Sequence, residues 1–204
     1  MLHRTACLLS AALLIGLVAL PASAQQPLRV RGTIEKVDGA SLVIKAGEAG
    51  DVTVTLADNA AVFGVKKATI ADIKPGDFIG VGADPQPDGS QRAIQVTIFA
   101  ESQRGTGEGH RPWDRPNTTM TNAAVETTVA GVNGQEMTVK YRMGERTGEQ
   151  KIVIPSDAVI RAYVVSDRSE LKPGTSIAVM NGTKKPDGTL EASRINVGRD
   201  GIAP

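Results

Sequence analysis

The chain has 204 residues, with 23 basic and 22 acidic side chains and a formal net charge of +1 at pH 7. This balance argues against bulk binding to nucleic acid or to an anionic membrane, because both favour a strongly basic surface. The single cysteine, Cys7, excludes an internal disulfide framework and cysteine-rich metal sites.

Residues 1–24 are predicted to be a secretory signal peptide. Arg4 supplies the positive charge of the N-terminal region, Cys7 to Leu20 is almost wholly apolar, and Ala22 to Ala24 has the small residues of a cleavage site. A permanent membrane anchor is the alternative, but the apolar run is shorter than the ~20 residues that a spanning helix needs. Cleavage removes the cysteine and one basic residue, so the mature chain is neutral. The sequence therefore predicts a periplasmic protein with no membrane span after leader cleavage.

The first predicted module covers residues 25–100. Val30 to Val37 is a strand that ends in a hairpin signal, Asp38-Gly39. Val52 to Leu56 alternates apolar and polar side chains, which is the pattern of a half-buried strand, and Ile94 to Ile98 repeats it. Five strands are expected, with a short helical element between the third and the fourth.

That helical element is a repeated motif. Asp72 to Asp77 (DIKPGD) recurs 98 positions later as Glu170 to Thr175 (ELKPGT). Lys-Pro-Gly stops a helix, because proline restricts the residue before it and glycine can take a positive φ. Each copy is predicted to be a helical turn, called here a plug turn, that closes one end of a small barrel with Ile73 or Leu171.

Residues 101–124 form a predicted linker rich in Gly, Pro, Asn and Thr. It holds Trp113, the only tryptophan, and His110, the only histidine of the mature chain. Trp113 would either pack between the modules or anchor a partner, since tryptophan serves both purposes. The predicted binding surface consists of His110, Arg111, Trp113 and Asp114.

The second predicted module covers residues 125–204 and repeats the order of the first, with a hairpin signal at Asn133-Gly134. We therefore expect an all-β protein of two tandem OB-like barrels related by internal duplication. An immunoglobulin-like sandwich would need about seven strands per domain and usually a buried tryptophan.

The paired VDG…IKPGD…PDG and VNG…LKPGT…PDG patterns resemble a family of uncharacterised proteobacterial secreted proteins, as do the GHRPWD linker and the MTN segment that follows it. The resemblance covers nearly the whole mature chain. It implies tandem β-barrel domains of unknown function and supplies no functional residues.

Catalysis is not expected. Ser169 and Lys172 match the Ser-x-x-Lys of penicillin-binding enzymes, but the Ser-Asp-Asn and Lys-Thr-Gly boxes are missing from the sequence. Ala71 stands in place of the serine in the first plug turn. Aromatic side chains make up 3% of the chain, which disfavours single-stranded nucleic acid as a partner.

The function predicted from sequence is a non-catalytic periplasmic binding or scaffold protein, without a cofactor, whose partner is an unidentified protein or small ligand. A periplasmic metal-handling accessory protein is the alternative. Its site would use His110, Glu108 and Asp114, completed by water or a second molecule. A hydrolase is a third hypothesis, which the sequence disfavours.

Overall fold

The computed structural model describes residues 28–131 and 134–204. The predicted signal peptide and Asn133 of the predicted hairpin lie outside the described residues. Within the described ranges, no helix is long and apolar enough to cross a membrane.

The described chain is all-β, as the sequence predicted. It contains strands joined by loops and by short 3-10 turns, with no α-helix in the ranges given above. The 3-10 turns are Gly47–Ala49, Ile70–Asp72, Glu101–Gln103 and Arg168–Glu170. The strands are β1 (Leu28–Asp38), β2 (Ser41–Lys45), β3 (Asp51–Lys67), β4 (Phe78–Pro85), β5 (Gln91–Ile98), β6 (Gly109–Pro112), β7 (Thr119–Gly131), β8 (Gly134–Met143), β9 (Arg146–Ile154), β10 (Val159–Ser166), β11 (Ser176–Lys184) and β12 (Leu190–Gly198).

One closed circuit of paired strands, the first barrel, runs β1–β2–β3–β12–β11 and back to β1. All its pairs are antiparallel except β3 with β12, which are parallel. Alternate residues of these strands point inward because successive side chains in a strand face opposite sides. The buried core that results includes Ile34, Leu42, Ile44, Val54, Leu56, Leu171, Ile177, Val179, Ile195 and Val197.

A second closed circuit, the second barrel, runs β7–β8–β9–β5–β4 and back to β7. Its parallel pair is β5 with β9, which meet over two residue pairs, Gln91 with Ile152 and Arg92 with Val153. Its core includes Ile73, Ile79, Val81, Val96, Val125, Met137, Val139, Ile152 and Ile154.

Each barrel is built from strands of both halves of the chain, an arrangement called strand exchange below. The first barrel takes three strands from the N-terminal half and β11 and β12 from the C-terminal half, and the second barrel takes the reverse share. The boundaries predicted at 25–100 and 125–204 assume that each half closes on itself, and the core clusters do not follow that division.

The length of β3 explains the exchange. Its 17 residues span about 55 Å at ~3.3 Å per residue, which exceeds the height of a small barrel. The second half of β3 extends past β2 but stays paired with β12 of the first barrel as far as Val65. On its other edge it pairs antiparallel with β10, from Val62 with Ser166 to Lys67 with Arg161. The chain therefore reaches the first plug turn at the second barrel.

Each plug turn buries one apolar side chain, as predicted, with Ile73 3% and Leu171 5% exposed. The two plug turns dock through equivalent backbone bonds. The Gly76 N–H donates to the Val125 carbonyl at 2.8 Å, and the Gly174 N–H donates to the Ile34 carbonyl at 2.8 Å. Each plug turn thus closes the barrel whose first three strands come from the other half.

Candidate functional site

A polar groove of about 350 Å³ lies where strands of both barrels meet the linker. Strand alternation places its lining residues. Arg194 and Asn196 of β12 face the groove, while Ile195 and Val197 between and beyond them fill the first barrel. Gln95 and Thr97 of β5 occupy the corresponding face beside the second barrel.

The groove is electropositive. One carboxylate, Asp114, lies among its lining residues, and its Oδ2 accepts from the Arg29 Nη1 at 2.9 Å. Four further arginines line the groove and form no ion pair with any described residue. They are Arg31, Arg111, Arg161 and Arg194. A groove with such a surplus of cations attracts anions.

Two of these arginines are held by neutral groups. The Arg111 Nη1 donates to the Gly107 carbonyl at 2.8 Å, and the Arg161 Nε donates to the Thr97 Oγ1 at 3.0 Å. These bonds fix the direction of each guanidinium without neutralising its charge. The positive charge therefore remains available to a ligand.

The deepest polar groups of the groove have no partners among the described residues. Asn196 is 1% exposed, and neither its Oδ1 nor its Nδ2 is hydrogen-bonded there. The buried Nε of Arg194 likewise has no acceptor, and burial lowers the pKa of this side chain from its ordinary value. A buried polar atom left without a partner costs about 1–3 kcal/mol, so these groups are suited to being completed by a ligand.

Asn122 of β7 adds a further acceptor. Its Nδ2 donates to the Thr106 carbonyl at 2.9 Å, which fixes the amide, and its buried Oδ1 has no donor among the described residues. A Cβ on Gly80 would lie 2.9 Å from this oxygen, so the glycine makes the room for the side chain.

Three of the four residues of the predicted binding surface lie together in the groove: Arg111, Trp113 and Asp114. Trp113 rests on β4 at Gly82, where a Cβ would lie 2.5 Å from its Cζ3. His110 does not line this groove, but it lines a second cavity, of about 790 Å³, together with Arg111, Trp113 and Asp114. Its Nδ1 is hydrogen-bonded to the Thr121 Oγ1 at 2.8 Å, and its ring stacks on Tyr141 with centroids 6.2 Å apart.

The three residues of the predicted metal site bond to different neighbours. Burial lowers the pKa of His110, the Glu108 Oε1 accepts from the Arg142 N–H at 2.9 Å, and Asp114 pairs with Arg29. Within residues 28–131 and 134–204 there is no group of three or more His, Cys, Asp or Glu placed to hold a metal ion. The metal site stays a prediction from sequence.

Sequence reasoning did not find Arg161, Arg194 or Asn196. A signal for the last two was present, because Arg194 and Asn196 alternate with apolar residues and asparagine is disfavoured in strands. What the sequence could not show is that β5, β10, β12 and the linker meet at one place.

Residues 31–97 match DUF5666, a domain of unknown function. The match covers less than half of the chain and spans β1 to β5, including the first plug turn. No curated protein and no solved structure matches the chain.

Proposed function

We propose that this protein is a non-catalytic periplasmic binding protein whose ligand is an anion held in the groove between the barrels. The observation that carries the proposal is the set of unpartnered polar atoms on Arg194 and Asn196, buried beside three further arginines that form no ion pair within the described residues. Charged hydrogen bonds to such an arginine are the strong ones in proteins, because both charge and direction are used.

The groove offers groups that recognise rather than transform a ligand. Guanidinium groups bind oxyanions, side-chain amides both donate and accept, and aromatic faces such as that of Tyr163 supply apolar contact. Sites for small ligands combine an apolar wall with a few placed polar groups in this way.

We also propose that both barrels are OB-like and descend from an internal duplication, followed by exchange of the last two strands of each copy. Each circuit consists of five strands, contains one parallel pair and is bonded in the same way to its plug turn. The DUF5666 match supports this history, since it covers one contiguous five-strand unit, β1 to β5. Export to the periplasm is part of the proposal and is supported by the leader features of residues 1–24.

Calorimetric titration of residues 25–204 with sulfate, inorganic phosphate and citrate tests the anion proposal. We expect binding that weakens as ionic strength rises, because salt screens charge attraction. Arg194→Gln should weaken binding about 10- to 100-fold, the equivalent of losing one charged hydrogen bond.

Arg92→Gln is the matched control. Arg92 lies outside the groove and pairs with Asp157 at 3.2 Å, so its loss should leave the affinity unchanged. The proposal is wrong if none of the anions binds, or if both variants weaken binding equally. Titration with Zn²⁺ and Ni²⁺ in parallel tests the metal-handling alternative, for which His110→Ala is the informative variant.

A further inference from the structure

The unpartnered atoms of the groove require more of a ligand than a negative charge. The Arg194 Nε and the Asn196 Nδ2 are donors, and they need acceptor oxygens such as those of an anion. The Oδ1 atoms of Asn196 and Asn122 are acceptors, and they need donors. Sulfate or a simple carboxylate satisfies the first pair of atoms and leaves the second pair unpaired. The ligand must therefore carry both an anionic group and donor groups.

The charge of the groove limits what those donors can be. An ammonium group would lie among five arginines and a single carboxylate that already pairs with Arg29. Like charges in such a setting repel, which disfavours a free amino acid or a polyamine. Neutral donors, hydroxyl or amide N–H groups, fit better.

The volume and the amide side chains favour hydroxyl groups. About 350 Å³ is near the lower end of the range for small-ligand pockets and suits a compact molecule better than a peptide segment. Four side-chain amides line the groove, and each offers a donor and an acceptor side by side, as adjacent hydroxyl groups do. They are Gln95, Asn122, Asn181 and Asn196.

We infer that the groove binds an acidic saccharide, a sugar ring that carries a carboxylate. The carboxylate bonds to Arg194, and ring hydroxyls donate to the Oδ1 atoms of Asn196 and Asn122. This inference rests on the proposed anion-binding function and adds the chemical class of the ligand.

The test compares four probes by calorimetry on residues 25–204. Glucuronate is the acidic sugar, cyclohexanecarboxylate keeps the ring and the charge without hydroxyls, glucose keeps the hydroxyls without the charge, and N-acetyl-aspartate amide represents an acidic peptide. We expect glucuronate to bind at least 10-fold more tightly than each of the other three.

Asn196→Val is the decisive variant. It removes both unpartnered amide atoms and places a strand-favouring side chain on β12, so the melting temperature without ligand should stay the same or rise. Glucuronate should lose more affinity than cyclohexanecarboxylate, because the variant removes the Nδ2 donor for both carboxylates and removes the Oδ1 acceptor that only the sugar hydroxyls use. Asn122→Ser gives a second measurement if the first variant does not fold, with a smaller loss for glucuronate alone.

The outcomes separate this inference from the function on which it rests. If glucuronate and cyclohexanecarboxylate bind equally and Arg194→Gln weakens both, anion binding stands and the saccharide inference is wrong. Tighter binding of the aspartate amide overturns it in favour of an acidic peptide. If no probe and no simple anion binds, both proposals fall and the buried amides are completed by water alone.

Discussion

At the scale of single residues, Gly82 decides where the linker lies. A Cβ on this residue would lie 2.5 Å from Cζ3 and 2.6 Å from Cη2 of Trp113, so the indole ring occupies the space that a side chain would fill. The Arg115 guanidinium lies over the same ring, 5.4 Å from its centroid. Trp113 thereby holds Asp114 at the edge of the groove, where it pairs with Arg29 of β1.

Gly82→Ala should therefore displace Trp113 and destabilise the protein by about 1–3 kcal/mol, the usual cost of overpacking. Chemical denaturation followed by circular dichroism measures the stability with and without Trp113, and tryptophan fluorescence of Gly82→Ala reports the altered environment of the ring. In a Trp113→Ala background the same substitution should cost close to nothing, because the colliding atoms are gone. An equal cost in both backgrounds would show that Gly82 is needed for another reason.

The sequence showed part of this arrangement and not the rest. Trp113, Arg111 and Asp114 stand out because a polar linker holds the only tryptophan, and the structure brings them to the groove. His110 stood out for the same reason, yet it lines a neighbouring cavity with these three residues and does not line the groove itself. Arg194 and Asn196 belong to a strand some 80 positions further along the chain. No local sequence pattern predicts that β12 and the linker lie side by side in the fold.

At the scale of elements, the plug turns show what a repeat can and cannot predict. The Lys-Pro-Gly motif gave the turn and the burial of Ile73 and Leu171, because both follow from local chemistry. It did not give the barrel that each turn closes. The strand patterns would be the same whether each half closed its own barrel or the halves exchanged strands. The choice depends on the continuation of β3 past β2, where it pairs with β10.

Leu171→Ala should cost about 2–5 kcal/mol, since it leaves a cavity in a packed core. The location of the damage distinguishes the two closures. Leu171 packs in the first barrel, so amide hydrogen exchange should accelerate more in β1–β3 than in β7–β9. The exposed Val165, at 68%, provides the control, and Val165→Ala should change the stability by less than about 0.5 kcal/mol. Faster exchange confined to β7–β9 would contradict the exchanged arrangement.

At the scale of the whole molecule, strand exchange makes the two halves depend on each other. Residues 25–104 contain three strands of the first barrel and only β4 and β5 of the second. Residues 105–204 contain the complementary strands. Neither half holds one complete closed circuit, so each alone would expose sheet edges and an open apolar core. The groove also requires both halves, because Arg29 and Gln95 come from one and Arg194 and Asn196 from the other.

A chain divided at Gly105 should therefore behave as a complementing pair. This glycine lies in an exposed turn, where a break disturbs little of the fold. Circular dichroism and amide exchange should find each fragment largely unfolded alone. An equimolar mixture should regain protected strands and a single cooperative unfolding transition, with a stability that depends on protein concentration because two chains must associate. The matched control is the intact chain with the same residues and a protease site at that turn, before and after cleavage. If residues 25–104 fold alone into a protected, cooperatively unfolding unit, the halves close on themselves and the exchange described here is wrong.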